Sequence, residues 1–364
     1  MKVLLITHLW KTNSYVTPSG GYHRLANYLS KYINDVTVLT WGKKDNFLTE
    51  GNLKILIKKT PKTDLFLERR LFLSYHAVKI ATNYDIIHAL DPVGGLVPSF
   101  VVPVLITEHV TKELDQRWWM LYKSLFQKIV YKKARYVIGV SNNLVKILKE
   151  KYHVNNCSYI PHGIDTTIFK PVLNKARINS IKIKLCGNKK YDLISLTCGS
   201  YGLKKEVIKH TVNCFPNILF LFIGSGLEKS LKGKNVIHLN KISENELINL
   251  YAASDVLFRP LNFSTANNSI LEAMAMGKAT ITNKIDGVID YLDDSCGYLA
   301  SSDSDFPKLF KRAMNNKYEV EEKGRNARLK AVKNFSWEVV AQKIMTLYER
   351  VLTNGRGEGK CPIL

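Results

Sequence analysis

The sequence predicts an α/β protein made of two doubly wound parallel-sheet domains. The chain has 364 residues, more than one ordinary core needs, and 46% of them are hydrophobic, which suits two globular domains. Short apolar runs alternate with runs of helical periodicity, a pattern typical of parallel strands covered by helices. The alternation breaks once, in a loop that contains Pro161, Gly163 and Pro171. We therefore expect a linker at 161–176.

The first half of the chain begins with a strand that leads into the glycine pair Gly20 and Gly21 and an amphipathic segment. Strand, glycine pair and helix are the usual start of a nucleotide-binding α/β unit, although the dinucleotide and P-loop fingerprints are both absent. An ordinary strand-to-helix turn would have the same appearance. The predicted strands of this half are Lys2–Thr7, Val36–Leu39, Leu53–Ile57, Ile86–Ala89, Val101–Ile106 and Tyr136–Val140, and its helices are Leu65–Ile80, Gln116–Lys133 and Asn142–Tyr152.

A second alternating series begins near Ile181. Because ligands of doubly wound sheets bind at the carboxyl ends of the strands, two such domains predict a ligand cleft. The predicted strands of this half are Leu193–Thr197, Ile218–Ile223, Val236–Leu239, Asp255–Phe258 and Ala279–Thr282, and its helices are Lys204–Cys214, Ser243–Ala253, Ser269–Met276 and further segments from Asp305 to Leu352.

The bulk composition indicates a cytoplasmic protein with an anionic partner. The formal net charge is +22, and the six cysteines are dispersed without metal-ligand or disulfide spacing, which favours free thiols in a reducing compartment. No apolar run is long enough for a signal peptide or a membrane helix. The charge suits a phosphate-bearing substrate, a membrane surface or nucleic acid, and also a merely solvated surface rich in lysine.

The stretch 255–287 predicts a strand, a polar loop, a helix and a second strand. The loop leads to a helix N-terminus, whose unpaired N–H groups and partial positive charge suit a phosphate. Glu272 stands in the first turn, where its carboxylate could receive ribose hydroxyls. The alternative is a capping box, because Ser269 to Glu272 fits the pattern S-x-x-E.

Four segments in one order resemble the "group 1" family of retaining, nucleotide-sugar-dependent glycosyltransferases with the GT-B fold. They are VIGVSNNLVKILKEKY at 137–152, IPHGIDTTIFKP at 160–171, SENELINLYAASDVLFRPL with LEAMAMGKATIT inside 243–282, and FSWEVVAQKIMTLYERVL at 335–352. The resemblance implies a Rossmann-like acceptor domain at 1–170, a Rossmann-like donor domain at 171–335, a helix at 336–352 that packs back on the first domain, and a tail at 353–364. It also implies transfer with retention from a nucleoside diphosphate sugar as co-substrate. No Asp-x-Asp stands at the end of a predicted strand, so we expect no metal requirement, and we expect no other cofactor.

The resemblance assigns Glu272 to the nucleotide ribose. A partner glutamate eight residues earlier normally contacts the donor sugar, and Ser264 stands there instead. This departure leaves the sugar unspecified. The other donor-binding residues expected in this stretch are Thr265, Asn267, Asn268 and Ser269, whose backbone N–H groups and side chains could meet the diphosphate or sugar hydroxyls.

Other positions of the family pattern are expected to bind the diphosphate. Gly199 and Ser200 follow the first strand of the second domain, and Ser200 replaces the usual arginine. Lys204 and Lys205 keep the cations nearby, with Lys204 as the expected catalytic one; a solvated helix start is the alternative. The glycine-rich turn of Gly224 and Gly226 is expected near the base. In the first domain, His109 is the expected contact to the transferred sugar or diphosphate, and Gly20 and Gly21 let the first loop approach the donor.

The acceptor is expected to be a glycan or a lipid-linked molecule. The segment Arg117–Lys149 contains eight basic and no acidic residues, interleaved with aromatic and aliphatic ones, a composition that suits an anionic membrane surface. Packing of the apolar residues on the sheet is the alternative. A nucleic-acid-binding or DNA-modifying protein of the same fold and a sugar epimerase are the rival functions, although no nucleic-acid-binding motif occurs.

Overall fold

The computed structural model describes residues 1–8, 20–60, 66–115 and 119–357. The chain forms two compact units: of the described residues, unit 1 holds those up to His162 and Trp337–Gly357, and unit 2 holds Gly163–Ser336. The boundary differs from the predicted one at 170 because Phe169 is buried in the core of unit 2 and Ile164 pairs with Ser336. Of the predicted tail, residues 353–357 are helical, and 358–364 lie outside the described residues.

Unit 1 contains an eight-stranded sheet in the order β3-β4-β2-β1-β5-β6-β7-β8, in which only the pair of β3 and β4 is antiparallel. Its strands are β1 Lys2–Ile6, β2 Asp35–Gly42, β3 Asn46–Glu50, β4 Leu53–Lys59, β5 Ile86–Ala89, β6 Val104–Glu108, β7 Tyr136–Gly139 and β8 Cys157–Tyr159. Its helices are α1 Gly20–Leu29, α2 Phe66–Ala81, α3 Trp119–Lys133 and α4 Asn142–Tyr152. The strand at the predicted 101–106 begins later, because a 3₁₀ turn at Pro98–Phe100 and then Pro103 precede it.

Unit 2 contains a six-stranded parallel sheet in the order β11-β10-β9-β12-β13-β14. Its strands are β9 Leu193–Cys198, β10 Ile218–Ile223, β11 Val236–Leu239, β12 Val256–Arg259, β13 Ala279–Asn283 and β14 Gly297–Ala300. Its helices are α5 Lys175–Cys186, α6 Lys205–Cys214, α7 Glu244–Ala253, α8 Asn268–Ala275, α9 Phe306–Asn315 and α10 Lys317–Lys330, followed by a π-helical turn at Ala331–Phe335. The last helix, α11 (Trp337–Gly357), belongs to unit 1.

The return of α11 to unit 1 is fixed by apolar packing and one buried polar chain. Trp337, Val340 and Ile344 join the core of unit 1. His88 on β5 is fully buried, with Nδ1 2.7 Å from the Tyr348 hydroxyl of α11 and Nε2 2.6 Å from Thr107 Oγ1 of β6. Burial lowers the pKa of His88 to about 3, so the imidazole is neutral in the folded state.

The buried imidazole predicts acid sensitivity of unit 1. Between pH 6.5 and 3, His88 binds a proton in the unfolded chain but not in the folded protein, so the free energy of unfolding falls as the pH falls. We expect His88 to remove about 2 kcal/mol of unfolding free energy between pH 7 and pH 5. Urea unfolding of His88→Gln should lack this part of the pH slope, and His210→Gln, at an exposed position, should keep it. Equal slopes in wild type and His88→Gln would contradict the prediction.

Candidate functional site

The sheet of unit 2 reverses its strand order between β9 and β12. The chain leaves β9 towards β10 and β11 on one side, whereas β12 leads to β13 and β14 on the other. At such a topological switch point the two connections diverge, so the carboxyl ends of both strands stay uncovered, and ligands of doubly wound sheets bind there. Most of the donor-site residues expected from the sequence lie on the loops that follow β9, β10 and β12.

The loop after β9 presents unused backbone donors. Gly199 and Gly202 have φ values of +73° and +72°, the left-handed conformation that glycine adopts most readily. The Gly199 N–H donates to Ile223 O at 2.8 Å, whereas the N–H groups of Ser200 and Gly202 have no hydrogen bond to the described residues. A turn of this kind with outward N–H groups can bind an anion.

Arg259, the last residue of β12, binds the main chain of this loop through its guanidinium group. Its side chain crosses the switch point: Nη1 donates to Cys198 O at 2.5 Å and Gly199 O at 2.6 Å, and Nη2 donates to Tyr201 O at 2.9 Å. The residue is 4% exposed. The sequence reasoning missed it, although a lone arginine in the otherwise apolar run VLFRPL is an available signal.

The loop after β12 ends in a helix cap that differs from the expected one. Asn267 is the N-cap of α8 and accepts from Ile270 N, while Ser269 Oγ donates to Asn267 Oδ1. The alternative prediction, a capping box formed by Ser269 and Glu272, is therefore wrong. The helix N-terminus formed by Asn268 and Ser269 lies at the carboxyl end of the sheet, where the helix dipole favours an anion.

Glu272 is positioned by a buried tyrosine instead of by the cap. The Tyr251 hydroxyl, from α7, donates to Glu272 Oε2 at 2.9 Å and lies 3.2 Å from Ser269 O. Tyr251 is fully buried, and burial raises the pKa of its phenol well above the ordinary value, followed by the nearby charges of Cys198 and Glu272. The phenol therefore stays a hydrogen-bond donor that orients the half-buried carboxylate.

The expected cations lie beside the loop after β9, and both have partners. Lys204 Nζ lies 2.6 Å from Asp303 Oδ1, and Lys205 Nζ donates to Gly226 O at 3.1 Å. Gly224 and Gly226 have φ values of +53° and +69°. A Cβ on Gly226 would lie 3.3 Å from Lys205 Nζ and 3.8 Å from Ser200 Cβ. The loops after β9 and β10 therefore meet, so the residues expected at the diphosphate lie beside the turn expected near the base.

Ser264 and Thr265 lie buried in the loop after β12, with 5% and 8% exposure. Ser264 Oγ is buried without a hydrogen-bond partner among the described residues. The backbone of both residues rests on Gly287, because a Cβ there would lie 2.3 Å from Ser264 O and 3.1 Å from Thr265 Cα. Gly287 also has a φ of +77°, so both space and conformation require glycine.

In unit 1, His109 follows β6 at the carboxyl edge of the sheet. Its Nε2 lies 2.6 Å from the Tyr22 hydroxyl of α1. The ring of His162 is 6.1 Å from that of His109, and Gly21 packs on it so closely that a Cβ would lie 2.7 Å from His162 Cε1. Gly20 is the first residue of α1. The structure thus brings Gly21 and His109 to one place through Tyr22 and His162.

Sequence reasoning also missed a buried cluster at the switch point of unit 1, between β1 and β5. His8 Nδ1 lies 2.9 Å from Asp91 Oδ2, and His8 Nε2 lies 2.9 Å from Arg70 Nη2. Arg70 and His8 hold the pKa of the Asp91 carboxyl far below its usual value, against the opposing effect of burial. Because arginine only donates, Nε2 accepts and Nδ1 carries the proton.

Two properties of the described residues concern the expected metal independence and membrane contact. Within the described parts of the chain, no three histidine, cysteine or carboxylate side chains are grouped as metal ligands. Metal independence itself stays a prediction. None of the described helices combines the length and the apolar character that crossing a bilayer requires.

Two units with Rossmann-like sheets and a nucleotide-type site at the switch point define a class of nucleotide-dependent α/β proteins. Two family models match: "Glycosyltransferase Family 4" at residues 21–168 and "Glycosyl transferases group 1" at residues 202–319. The chain belongs to the group 1 glycosyltransferases of the GT-B fold.

Relatives and solved structures agree with this family. The chain is 26% identical over 139 residues to sulfoquinovosyl transferase from Arabidopsis thaliana, a match that covers 36% of this chain and 27% of the relative. It is 24% identical over 320 residues to UDP-Gal:α-D-GlcNAc-diphosphoundecaprenol α-1,3-galactosyltransferase from Escherichia coli, with 80% of this chain and 81% of the relative covered. The chain thus spans about a quarter of one curated relative and most of another.

Solved structures share the fold over nearly the whole chain. Sucrose-phosphate synthase from Thermosynechococcus elongatus has a TM-score of 0.81 at 17% identity, with 97% of this chain and 99% of that one covered. Anabaena HepE in complex with UDP-glucose has a TM-score of 0.75 at 16% identity, with 96% and 100% covered.

The contact between Gly287 and the loop after β12 yields a prediction about stability. Gly287→Ala should lose about 1–2 kcal/mol from the left-handed φ and a further 1–3 kcal/mol or so from displacement of the backbone of Ser264. Gly187→Ala is the matched control, because Gly187 also has a positive φ, +57°, but nothing lies within 4 Å of its Cβ position. Urea unfolding measures both losses. Equal losses in the two variants would show that the close approach is unimportant.

Proposed function

We propose that the protein transfers a glycosyl group from a nucleoside diphosphate sugar to an acceptor, with retention of the anomeric configuration and without a metal ion. The observation that carries the proposal is Glu272, a carboxylate held by Tyr251 beside a helix N-terminus and a loop of unused N–H groups. This is the arrangement that a nucleotide needs: an acceptor for ribose hydroxyls next to donors for the phosphates.

The leaving diphosphate gains charge as the glycosidic bond breaks, so groups that favour that charge lower the barrier. In unit 2, the groups that favour this charge are the N–H groups of Ser200 and Gly202, the N-terminus of α8 and Lys205. Lys204 would exchange its ion pair with Asp303 for a phosphate oxygen. In unit 1, His109 would contact the transferred sugar or the diphosphate.

The donor sugar would meet a hydroxyl where the family pattern has a carboxylate. Ser264 Oγ is buried and has no hydrogen-bond partner among the described residues, so a sugar hydroxyl that reaches it would relieve an unsatisfied polar group. UDP sugars are the first donors to test, because the E. coli relative is named as a transferase that uses UDP-Gal and the HepE structure contains UDP-glucose.

A lipid-linked acceptor at an anionic membrane surface completes the proposal, supported by the diphosphoundecaprenol in the name of the E. coli relative. Among the exposed apolar side chains of unit 1, four lie on α3 or at the 3₁₀ turn that contacts it: Phe100 59%, Val101 59%, Leu125 61% and Ile129 44%. Lys133 Nζ lies 5.6 Å from the centre of the Phe100 ring, and Lys128 and Lys132 are exposed on α3. Apolar side chains bordered by lysines suit the interface of an anionic bilayer.

The donor site predicts recognition of the ribose by Glu272. Wild type should be stabilised by a nucleoside diphosphate in a thermal-shift screen of UDP, GDP, ADP and dTDP. If UDP binds, titration calorimetry should find that 2′,3′-dideoxy-UDP binds wild type about tenfold or more weakly, because the carboxylate loses its hydroxyl partners. In Glu272→Ala, UDP and dideoxy-UDP should bind almost equally.

Glu319→Ala is the control, since Glu319 is another partly buried glutamate of unit 2, bound to Arg312. It should keep the wild-type preference for the ribose hydroxyls. A Glu272→Ala protein that still discriminates would remove Glu272 from the ribose site. Failure of every nucleotide to bind wild type would contradict the proposed function.

The exposed surface of α3 predicts binding to anionic membranes. Wild type should co-sediment with vesicles of phosphatidylglycerol and phosphatidylcholine at low salt and bind less at high salt, because the lysines contribute electrostatically. Leu125→Ser combined with Ile129→Ser should weaken binding roughly tenfold, since two apolar side chains no longer enter the interface.

Ile183→Ser is the matched control, because Ile183 is 68% exposed in unit 2 and lies outside the proposed surface. It should bind vesicles as wild type does. If wild type shows no sedimentation with anionic vesicles at low salt, the membrane part of the proposal is lost and the donor chemistry is unaffected.

A further inference from the structure

Arg259 is a buried positive charge at the switch point of unit 2, where the diphosphate of the donor is expected. The three hydrogen bonds of its guanidinium go to main-chain carbonyls at the end of β9 and in the loop after it. Within the described residues no carboxylate lies within ion-pair distance of its guanidinium, and its Nε is buried without a hydrogen-bond partner. A buried cation with no adjacent anion is costly, so its charge calls for an explanation beyond packing.

The hydrogen bonds of Arg259 determine the direction of the neighbouring N–H groups. In a trans peptide the C=O and the N–H of the next residue point in opposite directions, and the described chain has no cis peptide bond. Because Gly199 O points at Nη1, the N–H of Ser200 points away from the guanidinium. Tyr201 O points at Nη2, so the N–H of Gly202 also points away. Neither of these two N–H groups has a hydrogen bond to the described residues.

We propose that Arg259 is the positioning cation of the diphosphate site: it turns the N–H groups of Ser200 and Gly202 towards the diphosphate and stabilises its negative charge from beneath the loop. The proposal rests on the proposed function. It explains how a chain with Ser200 in place of the expected arginine keeps a positive charge at the end of β9. The charge comes from the neighbouring strand β12 and acts through the loop.

The surroundings of Arg259 are consistent with this role. Burial lowers the pKa of the guanidinium to about 10, with Cys198, Tyr251 and Glu272 acting in the opposite direction, so the group is charged at neutral pH. A Cβ on Gly199 would lie 3.9 Å from Nη2, which places the cation directly below the loop backbone. Ser200 is exposed.

The chain contains a second arginine with the same chemistry at another place. Arg328 of α10 donates from Nη1 to Phe169 O at 2.9 Å and Ala275 O at 2.8 Å, and from Nη2 to Thr166 O at 3.0 Å. Ala275 is the last residue of α8, so this arginine lies at the end of the helix opposite to the proposed diphosphate site. It is a matched control for the loss of three main-chain hydrogen bonds.

The test compares UDP with uridine by titration calorimetry in wild type, Arg259→Met, Arg259→Lys and Arg328→Met. Arg259→Met should bind UDP at least tenfold more weakly, while uridine affinity changes by less than about twofold, because only UDP carries the diphosphate. Arg259→Lys keeps the charge and should recover part of the UDP affinity. Arg328→Met should lose thermal stability and bind UDP as wild type does.

Two results would overturn the inference and leave the proposed function intact. One is an Arg259→Met protein that binds UDP within twofold of wild type. The other is an equal loss of UDP and uridine affinity, which indicates that the substitution disturbs the whole site and has no specific effect on the diphosphate. Wild-type protein that binds no nucleoside diphosphate contradicts the proposed function itself.

A measurement on wild type covers the case in which Arg259→Met does not fold. With ¹⁵N-labelled glycine and serine, addition of UDP should shift the amide proton resonances of Ser200 and Gly202 downfield, as expected for N–H groups that begin to donate to an anion. UDP should leave the amide of Gly187, at the end of α5, unchanged. UDP binding without a shift at either Ser200 or Gly202 would overturn the proposal.

Discussion

The site of unit 2 depends on how the chain satisfies its main-chain polar groups where the strand order reverses. Beyond the carboxyl ends of β9 and β12 no neighbouring strand continues the hydrogen-bond ladder, and a buried group left unsatisfied destabilises the fold. Side chains supply the partners: Thr197 Oγ1 donates to Phe258 O, Thr282 Oγ1 donates to Arg259 O, and Asn283 Oδ1 accepts from Leu261 N at 2.6 Å. The loops are therefore fixed before any ligand arrives.

Main-chain hydrogen bonds also connect the loop after β9 to the loop after β12. Lys204 N donates to Pro260 O at 3.0 Å, and Asn262 N donates to Gly202 O at 2.8 Å. Leu203 and Leu261 form an isolated antiparallel bridge. Because these bonds fix the backbone on both sides of the switch point, the N–H groups that remain unused keep their directions. Preorganised donors of this kind need little rearrangement when charge develops on a ligand.

Most elements that carry an apolar period were predicted from the sequence, the short strands β8 and β14 excepted, and two elements without such a period, β3 and α5, were missed. All residues of β3 are exposed and α5 buries none, so hydrophobic spacing gave no signal for either. In the site, Glu272 and the loops were found from motif order. Tyr251, the partner of Glu272, lies 21 residues earlier in the sequence. Arg259 binds the carbonyl of Cys198 at the end of β9, 61 residues earlier. Such contacts follow from the sheet order, which local patterns do not contain.

In unit 1, one buried carboxylate connects the two features that the proposal uses in this unit, His109 and the exposed surface of α3. Glu108 is fully buried and accepts from the N–H groups of His109 and Val110 through Oε1, and from Gln127 and the Tyr131 hydroxyl of α3 through Oε2. Burial, followed by the charge of Glu108, raises the pKa of Tyr131, so the phenol remains a donor. The inner face of α3 therefore fixes the backbone of His109, while its outer face carries the surface proposed for the membrane. A membrane that restrains α3 would also restrain the main chain at His109, because the Glu108 carboxylate binds both.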